Sequence, residues 1–139
     1  MIAGGCGCGA VRFEIDGPLL SAGYCHCTRC QRRSGTAASA NARAASGSVR
    51  IVQGEQELRA WAPEGGREKV FCGRCGSALF SREPGSADNT GVRLGAVDGD
   101  PGIRPMSRQF VAYAACWEDV PDDGLPRYDE ARPGYEGGR

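Results

Sequence analysis

The stretch Cys25-His26-Cys27-Thr28-Arg29-Cys30 decides how this chain is read. Three thiols spaced C-x-C-x-x-C can hold one metal ion from one side, provided the backbone curls around it. Zinc takes four tetrahedral ligands, so three protein ligands leave one position for water or substrate, the arrangement of a catalytic zinc. The rest of the chain must then supply a fourth ligand or leave that position open.

Working outward, two further motifs carry paired thiols. Cys6-Gly7-Cys8-Gly9 lies upstream, where the glycines let the backbone turn tightly around a shared metal. Downstream, Phe71-Cys72-Gly73-Arg74-Cys75-Gly76 has the form of a zinc knuckle. Cys6, Cys8, Cys72 and Cys75 together give four sulfurs, enough to close a structural zinc site that contributes to folding. The alternative adds Cys72 and Cys75 to the triple cluster, which puts five sulfurs on one metal and leaves Cys6 and Cys8 idle. Cys116 stands alone beside Trp117 and reads as a small buried hydrophobe. His26 lies between two ligands, so its ring is expected to point away from their metal and to serve packing or support.

Composition narrows the class. The 139 residues suit one domain, with a core from about residue 4 to 128 and residues 129–139 as a C-terminal tail. Lys plus Arg and Asp plus Glu both number 17, so there is no basic footprint for nucleic acid. No apolar run is long enough to span a membrane. Eight cysteines suit a disulfide framework in a secreted protein. However, no signal peptide is visible at Met1-Ile2-Ala3-Gly4-Gly5, and the clustered spacing is that of metal ligands. A cytoplasmic protein is expected.

Twenty-two glycines, eight prolines and scarce helix-period patterns favour a mostly β domain. Strands are expected from Ala10 to Ile15, Leu19 to Tyr24, Ser48 to Val52, Glu57 to Trp61, Lys69 to Phe71, Ser77 to Arg82, Gly91 to Val97 and Gln109 to Ala114. A single helical turn after Cys30 is expected to end at Gly35. Thr36 to Arg43 is alanine-rich and is open to helix or strand. Trp61 reads as core. Arg32 and Arg33 can draw an anionic substrate to the metal, or stand as solvated surface charges.

The three cysteine motifs in this order carry a resemblance. Cys6 to Phe13, Cys25-His26-Cys27 with Cys30 and Gly35, Phe71-Cys72 with Cys75-Gly76, then Trp117 and Leu125-Pro126 resemble the glutathione-dependent formaldehyde-activating enzyme family, which includes the centromere protein V type. The resemblance implies a mostly β fold of small coiled antiparallel sheets, of the β-tent type, built around two zinc ions per chain. It implies Cys6, Cys8, Cys72 and Cys75 as ligands of the structural zinc, and Cys25, Cys27 and Cys30 as ligands of the catalytic one. The implied activity joins formaldehyde and glutathione into S-hydroxymethylglutathione, formally carbon–sulfur lyase chemistry. One departure stands out: where the family carries P-x-x-H, this chain has Pro105-Met106-Ser107-Arg108, followed by Gln109.

The expected function is thus a zinc-dependent carbon–sulfur lyase acting on a thiol such as glutathione or on its aldehyde adduct. Arg32 and Arg33 are the candidate holders of a substrate carboxylate. The rival is a non-enzymatic, zinc-stabilised binding module, since fold and motif do not fix function.

Overall fold

A computed structural model describes residues 1–135. Two β-hairpins set its plan. β1 (Ile2–Gly5) and β2 (Arg12–Ile15) pair antiparallel, and the Cys6–Cys8 motif forms the turn between them. Further along, β7 (Glu68–Cys72) and β8 (Ala78–Arg82) pair antiparallel around the Cys72–Cys75 knuckle. The two hairpins belong to different sheets, and their tips meet at the four cysteines.

The remaining elements fill in the sheets. β3 (Ser21–Cys25) leads into α1 (Thr28–Ser34), then β4 (Ser39–Arg43), β5 (Val49–Gln53), β6 (Leu58–Trp61), β9 (Gly91–Arg93) and β10 (Arg108–Gln109). The smaller sheet runs β1-β2-β5 and the larger β10-β3-β4-β9-β8-β7-β6. Among the described residues these strands pair antiparallel except β10 beside β3, where Gln109 sits opposite Cys25 in a parallel register. The mostly β, largely antiparallel fold agrees with the sequence reading.

The core lies between the sheets. Alternation on β2 buries Phe13 and Ile15, and Val11 joins them, while Arg12 and Glu14 face outward. Ala22, Ala42, Val92, Phe80 and Val70 supply the facing layer from β3, β4, β9, β8 and β7. Phe13 and Phe80 meet edge to face with centroids 4.9 Å apart. Burying each ring contributes about 2–3 kcal/mol. Between Val70 and Phe71 the register shifts, so Leu79 and Phe80 are buried in succession just after the knuckle.

Several elements differ from expectation. The alanine-rich segment is the strand β4, because alternate alanines meet the core while Ser39, Asn41 and Arg43 take the other face. The helix begins at Thr28, with Cys27 as its N-cap and Gly35 closing it at φ 71°. The last expected strand is only Arg108–Gln109, followed by a 3-10 turn over Val111–Tyr113. Likewise Gly91–Val97 is a three-residue strand followed by a 3-10 turn. Trp61 is not core: it lies on the edge strand β6, about half exposed, beside Arg29, Arg32 and Arg33. Cys116 is exposed rather than buried.

The expected C-terminal tail is tied down where it is described. Phe110 N donates to Glu130 O, Val111 N to Tyr128 O, and Arg132 N to Gln109 Oε1. Tyr135 packs on Phe110, Cys25 and Cys27. Fraying is expected of a terminus such as Gly134 to Arg139; Tyr135 is instead held by this packing, and residues 136–139 lie outside the described part.

Candidate metal and thiol site

Cys6, Cys8, Cys72 and Cys75 bring their sulfurs within 4.8 Å of one another. Each pair of cysteines sits in a turn that a glycine closes. Gly9 N donates to Cys6 O and Gly76 N to Cys72 O, and both glycines take φ near +80°. Gly7 N donates to Ser77 Oγ, linking one knuckle to the other. A tetrahedron with zinc–sulfur bonds of about 2.3 Å has edges of about 3.8 Å. The Cys6–Cys8 and Cys8–Cys72 sulfur separations are 3.6 Å and 4.0 Å. The donor set therefore fits a closed metal site. Three groups favour thiolate there: Val11 N points at Cys6 Sγ, and the Ser77 hydroxyl and amide draw Cys75 down to about 5.

The second cluster is Cys25, Cys27 and Cys30, again with sulfurs within 4.8 Å. Cys25 ends β3, Cys27 caps α1 with its sulfur accepting from Cys30 N at 3.3 Å, and Cys30 lies in the first turn. Hydrogen bonds from the Cys25 and Cys27 thiols take Cys30 down to about 2, with Ser39 and Arg93 adding to the effect. The Cys25 thiol is pushed up by the same sharing and by burial. Among the described residues, no further His, Cys, Asp or Glu completes this set. All eight cysteines are free, and Cys116 belongs to neither cluster.

The surroundings hold this loop in place. Gln31 Nε2 donates to His26 O and Tyr113 O, tying α1 to the chain after β10. His26 is buried and turns its ring to Arg108, whose Nη1 lies 3.2 Å from Nε2. Burial, then the Arg108 charge, lowers the His26 pKa, so the ring is neutral and Nε2 accepts. Phe110 adopts a left-handed φ of 57°, held by packing on Cys25, Cys27, Tyr113 and Tyr135.

Two openings reach Cys30. One is an open groove of about 630 Å³ running from Cys30, Arg33 and Arg93 to Cys6 and Ser77. The other is a smaller cavity of about 120 Å³ on the polar face of the larger sheet, lined by Cys25, Cys30, Lys69, Arg93 and Tyr135 among others. Arg33 lines the groove and lies 5.3 Å from the Phe71 ring centroid, whereas Arg32 is exposed beside Trp61. The sequence reading missed Lys69 and Arg93. Their signal was period-2 alternation, with polar residues opposite Val70 and Val92 on the core side.

Comparisons with known proteins give the family. The family model described as glutathione-dependent formaldehyde-activating enzyme matches residues 1–113. A Halomonas elongata protein with the provisional name glutathione-dependent formaldehyde-activating enzyme is 27% identical over 158 aligned residues, covering 99% of each chain. A Rhodobacter sphaeroides protein with a crystal structure superposes with a TM-score of 0.55 at 25% identity, covering 91% of this chain and 98% of that one. No helix among the described residues is long and apolar enough to cross a membrane. The chain belongs to the glutathione-dependent formaldehyde-activating enzyme family.

Proposed function

We propose that this chain is a zinc-dependent enzyme of the carbon–sulfur lyase type, acting within one domain on a thiol such as glutathione and its aldehyde adduct. The observation that carries the reading is the three-cysteine cluster, which lacks a fourth ligand among the described residues and has Cys30 lining the open groove. Cys6, Cys8, Cys72 and Cys75 would hold a structural zinc, and Cys25, Cys27 and Cys30 a catalytic one. Zinc at the second cluster would supply the positive charge that lowers a substrate thiol's pKa.

The chain's own residues do the rest. Cys27 and Gln31 fix the loop, so the open side of the cluster keeps its direction. The groove has room for a tripeptide-sized thiol. Arg33, at its edge, can hold a carboxylate, and Arg32 lies too far to the Trp61 side to share the groove lining. In the forward direction a carbon–sulfur bond forms between the thiol sulfur and the formaldehyde carbon. The thiol proton ends on the former carbonyl oxygen, so no oxidant or reductant is needed. Eight free thiols suit a reducing, cytoplasmic setting.

The test is adduct formation from ¹³C-formaldehyde and glutathione, followed by NMR against the spontaneous reaction. Saturable acceleration by zinc-loaded protein, lost in Cys27→Ser, is expected. No acceleration over the spontaneous rate would favour a zinc-stabilised binding module.

A further inference from the structure

The polar face of the larger sheet gathers positive charge around the small cavity. Register aligns Lys69 with Ser81, Ser81 with Gly91, and Gly91 with Arg43, while Arg93 sits opposite Asn41. Arg43, Arg67, Lys69, Arg93 and Arg132 all line the cavity, and no Asp or Glu does among the described residues. Arg67 is fully engaged, bonding Glu83, Thr90 Oγ1 and Ser81. Arg93 donates to Asn41 Oδ1, a neutral partner.

Lys69 differs from them. It is only 8% exposed, yet its ammonium makes no hydrogen bond or ion pair among the described residues. The cavity it lines is therefore the open side of a largely buried cation, and the like charges around that cavity leave it without a counter-charge. Burial first, then the Arg93 charge, lowers the Lys69 pKa. An anion in the cavity would relieve that strain.

We propose that this cavity is a carboxylate subsite, in which the Lys69 ammonium and the Arg93 guanidinium take one carboxylate of a ligand lying against the three-cysteine cluster. The proposal rests on the thiol-site reading for the ligand's sulfur, but the carboxylate contacts do not depend on it. At about 120 Å³ the cavity admits a carboxylate with one or two carbons, and the remainder of a larger thiol would extend toward the groove that Cys30 and Arg93 also line. The carboxylate comes either from the thiol itself or from a separate small acid. A neutral thiol leaves Lys69 unpaired and is discriminated against.

Calorimetry on the zinc-loaded full chain tests this with mercaptoacetate, 2-mercaptoethanol and acetate. The parent is expected to bind mercaptoacetate about tenfold more tightly than 2-mercaptoethanol. Lys69→Met should erase that preference without weakening 2-mercaptoethanol, and Lys69→Arg should keep most of it. Acetate that competes with mercaptoacetate assigns the carboxylate to the thiol, and acetate that binds together with 2-mercaptoethanol assigns it to a separate acid. Either result supports the subsite. If neither thiol binds but acetate binds the parent and not Lys69→Met, the thiol reading fails and the subsite stands. If Lys69→Met does not fold, Arg93→Gln is read in its place. Equal binding of the two thiols with no acetate binding, no binding of any probe, or a preference that survives the folded variant overturns the proposal.

Discussion

Arg108 Nη1 lies 3.2 Å from His26 Nε2, while its Nη2 pairs with Asp123 at 2.8 Å. The same guanidinium stacks 4.2 Å above the Tyr24 ring. One buried side chain thus joins β3, the loop between two cluster cysteines and the segment around residue 123. Arg108→Ala should therefore destabilise the protein by about 2 kcal/mol, through lost stacking and a lost hydrogen bond to His26. Urea unfolding of the zinc-loaded protein measures it. A change within a few tenths would mean that Arg108 is not a structural tie.

The two cysteine clusters are predicted to contribute unequally to stability. Cys72→Ser breaks the closed set that staples the tips of two hairpins from different sheets. It should lower the melting temperature strongly, since structural zinc contributes free energy to the fold. Cys27→Ser should leave most of the fold and weaken the second metal. Equal loss in paired thermal melts would make both sites structural.

Much of this site was legible because its ligands are local in sequence. C-x-C, C-x-C-x-x-C and C-x-x-C need only a turn or one helical turn to converge, and Gly9, Gly35 and Gly76 mark those turns. The core face of β2 was legible for a similar reason, from the alternation of Phe13 and Ile15 with polar neighbours. β1 was not, because Ile2–Gly5 becomes a strand only through its pairing with β2. Trp61 was misread because an edge strand in this fold leaves its ring half open on an arginine-lined surface. The cavity around Lys69 was hidden for a deeper reason. Its walls come from β3, β4, β7, β8 and β9, whose register only the folded sheet defines.

Tyr135 should report on the C-terminal segment through alkaline titration. Burial, then the nearby Cys25 thiol, pushes its phenol up to about 12. The folded pKa thus exceeds the unfolded value of about 10, so the neutral phenol is favoured in the fold. Its stabilising contribution is complete below about pH 10 and is lost as pH rises through 12. Absorbance at the phenolate band should show a late-titrating step that is absent in Tyr135→Phe. A titration curve with no late step for Tyr135→Phe to remove would place Tyr135 in water.

In the proposed arrangement four cysteines close one zinc site while three leave another open to a thiol. Zinc X-ray absorption, with elemental analysis on the same sample, measures this most directly. About two zinc ions per chain and a mean of about 3.5 sulfurs per zinc are expected. Added thiol should raise the mean to about 4 in the parent and leave Cys27→Ser unchanged. A sulfur count that no thiol alters, or a zinc content of one or less that added zinc does not restore, would contradict it.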